Sequence, residues 1–179
     1  EAVSSFAVSR ELLPPADRPC VVKVGGSLFD LPDLASRLRI LLAYQPRAIL
    51  VAGGGAPADW SRAMTRLHSL SDADAHWLAI DAMSLQASFL AKLLKLPLVD
   101  WVDQSVNRER FPCVFNVQRL LEADKAKTLP MGWHVTSDSI AAHVAQTLAI
   151  VDLVLLKSVG ESGMSWRDTV QQEWVDSYF

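Results

Sequence analysis

Two short apolar runs, 20–24 (Cys-Val-Val-Lys-Val) and 48–52 (Ala-Ile-Leu-Val-Ala), each end in glycine: Gly25-Gly26 behind the first, Gly53-Gly54-Gly55 behind the second. A helical pattern follows each. Leu34, Leu38, Leu41 and Leu42 recur at the helical period within 31–44, and Pro46 lies beyond that stretch. A second helix is expected from Pro57 to about His68, with Pro57 in the first turn, where its missing N–H costs nothing. Strand–glycine–helix units in succession pair their strands in parallel through right-handed crossovers. Both glycine loops then emerge at the same carboxyl edge of one sheet, where open α/β sheets bind ligands.

The rest of the chain continues the alternation. Strands are expected at 98–102, 113–117 and 151–156, a short helix from 117 to 123, and another helix over 137–149. The stretch 71–94 reads as one long helix, opened by Ser71-Asp72 and closed before Pro97. Its polar positions Asp81, Ser84, Ser88, Lys92 and Lys95 fall on one narrow stripe, and nearly everything else is apolar. A helix with so thin a polar stripe is buried on more than one side. Core packing on one side and the subunit interface of a homo-oligomer on another are expected; burial wholly within one chain is the alternative. The fold class is α/β, a three-layer αβα sandwich with a mainly parallel open sheet. Its 179 residues suit a single domain over 19–179, preceded by an N-terminal extension over 1–18 that carries Pro14-Pro15.

Charge and composition narrow the partners. Net charge is −3 and no basic run appears, which points away from nucleic acid and from membrane surfaces. No stretch approaches the ~18 apolar residues of a membrane-spanning helix, and no secretory signal pattern is visible. Cys20 and Cys113 lack metal or redox spacing and read as reduced core thiols, which suggests a cytoplasmic protein. The four histidines show no ligand spacing, so no protein-held metal is expected. Trp60, Trp77 and Trp101 read as packing residues.

The chemistry concentrates at the two loops. Glycine lets backbone N–H groups approach a ligand closely, and a helix N-terminus favours an anion. One glycine pair after a strand is usually only a tight turn. Two in successive units, the first preceded by Lys23, suit a donor phosphate and its acceptor. The chain has no G-x-x-x-x-G-K-[ST] loop. Gly53, Gly55 and Ala58 match a dinucleotide fingerprint, but the acidic residue expected ~20 positions on is missing. Asp138 falls in the first turn of a helix, where the macrodipole favours a carboxylate. Trp133 and His134 lie just ahead of it as candidate pocket residues. Asp100, Asp103 and Asn107 follow a strand end and either meet the acceptor or form a solvated loop.

Three separated segments carry a resemblance: Lys23-Val24-Gly25-Gly26-Ser27-Leu28, Val51-Ala52-Gly53-Gly54-Gly55 and Thr136-Ser137-Asp138-Ser139-Ile140-Ala141. In this order they resemble the amino-acid kinase superfamily of aspartate, glutamate and uridylate kinases. The segment 133–139 looks closest to a small branch linked to methanofuran-type cofactor biosynthesis, whose members phosphorylate an aminomethyl-furan methyl phosphate. The resemblance implies ATP and Mg²⁺, a small-molecule substrate and one-carbon cofactor metabolism. It implies Lys23 as the cation on the transferring phosphoryl group, Gly25, Gly26, Ser27 and Ser137 as phosphate donors, and Asp138 as the residue that orients the lysines. Gly53, Gly54, Gly55, Trp133, His134 and Thr136 would hold the acceptor, and Lys157 is the candidate second lysine. The family's late nucleotide element stands here as Leu156-Lys157-Ser158-Val159-Gly160-Glu161, so a shortened C-terminal nucleotide half is expected. The competing reading is a non-catalytic kinase-fold protein that binds anions or nucleotide or serves assembly.

Overall fold

A computed structural model describes residues 13–100, 110–124, 129, 135–158, 175 and 176. Five strands, β1 (Cys20–Val24), β2 (Ala48–Ala52), β3 (Leu98–Val99), β4 (Cys113–Phe115) and β5 (Asp152–Leu156), form one sheet in the order β3-β4-β2-β1-β5. Every pairing is parallel. The helices are α1 (Leu34–Tyr44), α2 (Gly55–His68), α3 (Asp72–Leu94), α4 (Gln118–Ala123) and α5 (Ser137–Thr147), with a 3₁₀ turn over Gly26–Asp30.

β1 lies between β2 and β5, and β1 and β2 are buried along their whole length. Side chains alternate across a strand, so each parity of β1 enters a different core. Val22 and Val24 pack with Leu38 and Leu41 of α1 and Leu90 of α3. Val21 packs on the other face with Ile140, Ala141 and Val144 of α5. Lys23 has the parity of Val21. It therefore faces α5, and this parity places the catalytic candidate.

Several expected bounds shift. α1 opens at Leu34 rather than at residue 31, because Leu31 is the extended residue that closes the 3₁₀ turn following the first glycine loop. β4 ends at Phe115: the Asn116 N–H still donates to the Val99 carbonyl at 2.7 Å, but its Oδ1 accepts the Gln118 N–H at 3.2 Å at the start of α4. Ser71 caps α3 by accepting the Asp74 N–H, as its position predicts.

The outward stripe of α3 differs from the expected polar one. Ser84 and Ser88 are half-buried, while Leu85 and Phe89 are 60% and 48% exposed. Gln86 is buried instead. Ser84 turns inward because its hydroxyl meets Asn116 and the Ile80 carbonyl. By length and composition α3 is long and apolar enough to cross a membrane, which counting apolar runs did not anticipate. Half of that stretch is buried, and Ile80, Met83, Ala87 and Leu90 pack into the two cores, as in a core helix. Trp60 stands largely exposed on α2 rather than packed, whereas Trp77 is half-buried against the α5 core. Trp101 lies outside the described residues.

Leu13 packs against the α1 core, and the Gln45 amide donates to the carbonyls of Pro14 and Pro15 at 3.1 and 3.3 Å. Leu90→Ala, at a fully buried position, should lower the unfolding free energy by about 2–5 kcal/mol. Leu85→Ala should cost less than about 0.5 kcal/mol in an isolated chain. Urea unfolding of the two variants checks this, and equal costs would contradict the assigned faces of α3.

Candidate active site

Lys23 is only 5% exposed and Asp138 only 2%. The Lys23 ammonium lies 2.8 Å from Asp138 Oδ1, as a close ion pair rather than an aligned hydrogen bond. Lys157, just past the end of β5, donates to Asp138 Oδ2 at 2.5 Å. One carboxylate thus spans two ammonium groups. β5 pairs with β1 in the register Lys23↔Leu155, which brings the residue after β5 to the same sheet edge. Burial pulls the Lys23 pKa below its ordinary value, Asp138 opposes this, and the Lys157 charge adds to the depression. Neither cysteine competes as a nucleophile. Burial and the Asp152 charge push the Cys20 thiol up to about 12, and burial pushes Cys113 there despite Arg110.

The two glycine loops touch. A Cβ on Gly26 would fall 2.4 Å from the Gly55 nitrogen and 2.6 Å from its Cα. Gly55 has φ +53°, a left-handed conformation that favours glycine. The first and third glycines of the pattern serve the sheet: the Gly25 N–H donates to the Leu156 carbonyl at 2.9 Å and the Gly53 N–H to Val24 at 2.8 Å. Gly26, Ser27, Gly54 and Gly55 instead line a cavity of about 250 Å³, together with Thr136 and Ser137 at the start of α5. The Ser27 and Ser158 hydroxyls are hydrogen-bonded at 2.8 Å, joining the first loop to the residue after Lys157.

The structure therefore brings together Lys23, Asp138, Lys157, both glycine loops, Ser27, Thr136 and Ser137. Trp133 and His134, and with them Asp103 and Asn107, lie outside the described residues. Asp100 is exposed and pairs with Arg119 at 3.4 Å. Three residues escaped the sequence reading. Arg62 and His76 also line the cavity, with Arg62 paired at 3.0 Å to Asp59, a carboxylate of the same lining. Arg62 was legible in principle, since Gly55, Ala58, Asp59 and Arg62 share one helical face beginning at the glycine loop. His76 shares a face with Ala79, Ile80 and Met83 in the same way. Asp176, whose carboxylate meets the start of α5, carried no motif at all.

The residues suit a nucleotide phosphate: backbone where any Cβ would intrude, two lysines, and hydroxyls beside them. Among the described residues no three His, Cys, Asp or Glu side chains gather to hold a metal. Asp138 is already taken by the lysines, and the cavity-lining Asp59 is paired with Arg62 at 3.0 Å, so these carboxylates do not form a magnesium site of their own.

No family model matches the chain. It is 24% identical over 144 residues to a 5-(aminomethyl)furan-3-ylmethyl phosphate kinase of Methanocaldococcus jannaschii, covering 78% of this chain and 65% of that protein. The chain thus spans just under two thirds of that relative's length. Its structure superposes on the uridylate kinase of Archaeoglobus fulgidus with a TM-score of 0.57 and 19% identity, covering 83% of this chain and 69% of the other. Both proteins are of the amino-acid kinase superfamily, so the resemblance carried by the three motifs holds, and the fold is that of this superfamily.

Gly26→Ala should force the loops apart and remove phosphate binding. Mg-ATP at 100 times its Kd should stabilise the wild type by about 2.7 kcal/mol. A thermal-shift titration checks this; an equal shift in Gly26→Ala would contradict a phosphate cradle between the loops.

Proposed function

We propose that the chain catalyses ATP-dependent phosphoryl transfer to a small acceptor that is itself a phosphate monoester, of the aminomethyl-furan kind acted on by its archaeal relative. The observation that carries this reading is the pair of lysines held by one buried carboxylate beside two touching glycine loops. Three charged side chains leave one net positive charge among them. That is what a phosphoryl group with charge spread over its oxygens requires. Catalysis of this kind needs positioning and electrostatics rather than a covalent intermediate.

Asp138 has both oxygens engaged by ammonium groups, so it orients the lysines and is not the base. A phosphate acceptor needs none: with a second pKa near ~6 it is already ionised at neutral pH. Its oxygen attacks the γ-phosphorus, the bond to the bridging oxygen of ADP breaks, and no proton must be removed. ATP supplies the transferable group and the leaving group. Gly26, Ser27 and the lysines would hold its phosphates, while Gly54, Gly55, Arg62 and His76 would receive the acceptor's negative charge. No step is assigned to magnesium, which would arrive on the nucleotide's phosphates.

Lys23→Ala should lower turnover by about 10²–10³-fold, the usual loss for one group that stabilises transition-state charge. ATP consumption with a panel of phosphate monoesters and primary amines measures it. Activity unchanged in Lys23→Ala would overturn the mechanism. Mg-ATP binding with no phosphorylation of any acceptor would assign the chain to the non-catalytic reading.

The protein is further proposed to act in the cytoplasm as a homo-oligomer through α3, supported by the outward Leu85 and Phe89. Light scattering at micromolar concentration should show more than one chain, and Leu85→Asp should return the mass to that of a monomer. A wild-type monomer would contradict the interface.

A further inference from the structure

Asp176 is 37 residues beyond Ser139, yet its carboxylate gathers the first turn of α5. Oδ2 accepts the Thr136 N–H at 3.0 Å, the Thr136 hydroxyl at 2.7 Å and the Ser139 N–H at 3.3 Å. Oδ1 accepts the Ser139 hydroxyl at 2.5 Å. The Thr136 hydroxyl oxygen in turn accepts the Asp138 N–H at 3.3 Å. Residues on both sides of Asp138 are thus fastened to one remote carboxylate.

A helix start offers N–H groups without intrahelical partners and a partial positive charge, so a carboxylate suits it. A cap alone needs one such bond, and Thr136 already supplies it. Four bonds from a separate segment constrain more: they set the rotation of the turn that carries Asp138. Burial would raise the Asp176 pKa, but the bonds from Ser139 and Thr136 hold it below its ordinary value, so the group is a carboxylate across the working range.

We propose that Asp176 is a positioning residue of the phosphoryl-transfer site, locking the first turn of α5 so that Asp138 holds Lys23 and Lys157 in register with the glycine loops. Its consequence for turnover rests on the kinase reading above; its consequence for the lysines does not. Among the described residues, Asp138 from α5, Lys157 after β5 and Asp176 from near the C-terminus act on Lys23. Burial and Lys157 disfavour its charge, while both carboxylates favour it. Loss of the Asp176 charge therefore moves Lys23 toward deprotonation at lower pH, and loss of the turn geometry loosens Asp138 and acts in the same direction.

The test is Asp176→Asn in the full chain, read by the pH titration of the Lys23 Cε resonance in ¹³C-lysine-labelled protein and by kinetics. The Lys23 midpoint should fall below that of the wild type. Turnover should drop about 10–100-fold, the range for residues that orient a catalytic group from behind, with the basic limb of the pH profile displaced in step. Because Asp176→Asn also removes a charge, Thr136→Val is titrated beside it, keeping that charge and removing the hydroxyl that links Asp176 to the Asp138 N–H. A merely structural cap would lower the melting temperature of Thr136→Val and leave its Lys23 titration where it was. Folded Asp176→Asn with coincident titration curves overturns the proposal. If the wild type phosphorylates nothing, the kinase reading fails while the displaced titration still supports the positioning role. If Asp176→Asn does not fold, Thr136→Val alone decides. It should displace the titration in the same direction, and a curve coincident with the wild type overturns the proposal.

Discussion

An ammonium buried to the extent of Lys23 is tolerated only if a carboxylate is held against it, and a buried carboxylate is tolerated only if its oxygens are occupied. Asp138 meets both demands at once, and much of the site's architecture follows. Its two oxygens require two cations, which come from strands on adjacent lines of the sheet, β1 and the end of β5. The carboxylate must arrive from the helix above that edge, and α5 is the element packed on the Lys23 face of β1. Parallel pairing is what allows this. Only when neighbouring strands run the same way do their carboxyl ends, and the residues just past them, converge at one edge.

The same edge explains the division of labour among the glycines. A parallel ladder needs N–H donors slightly beyond the strand ends, and Gly25 and Gly53 supply them to Leu156 and Val24. The next residues turn away from the sheet toward the cavity. Gly26 and Gly55 then meet backbone to backbone, closer than any side chain would permit. The glycine clusters are therefore two-part devices, one residue closing the sheet and the next opening the loop.

This separation marks the limit of what the sequence made legible. Alternating strands, glycine loops and helices were enough to find the parallel sheet, whereas the face of Lys23 followed only from the packing of β1 against α5. The helical position of Asp138 was enough to find its carboxylate. Sequence order could not say which glycine N–H groups were already spent, because that depends on the register between β1, β2 and β5. The α3 stripe misled for a related reason: Ser84 looks like a surface residue until Asn116 is known to sit against it. Asp176 was invisible because its partners are 37 and 40 residues away and neither end carries a periodic signal.

The balance of charge also bears on what the cavity can receive. The Asp176 carboxylate is spent on the N–H and hydroxyl groups at the start of α5, and Asp138 is spent on the two lysines. Neither is left to accept a proton from an incoming nucleophile. Lys157 remains 22% exposed, so the positive charge of the cluster is not wholly sealed off. An alcohol acceptor would need a base other than these two carboxylates; among the described residues that line the cavity, Asp59, paired with Arg62, and His76 are the candidates. An acceptor that arrives already ionised needs only cations and N–H groups to meet it, and Arg62 and the cavity-lining Gly54 and Gly55 are of that kind. On the proposed function, a phosphate monoester would therefore enter the cavity without drawing on either of these carboxylates.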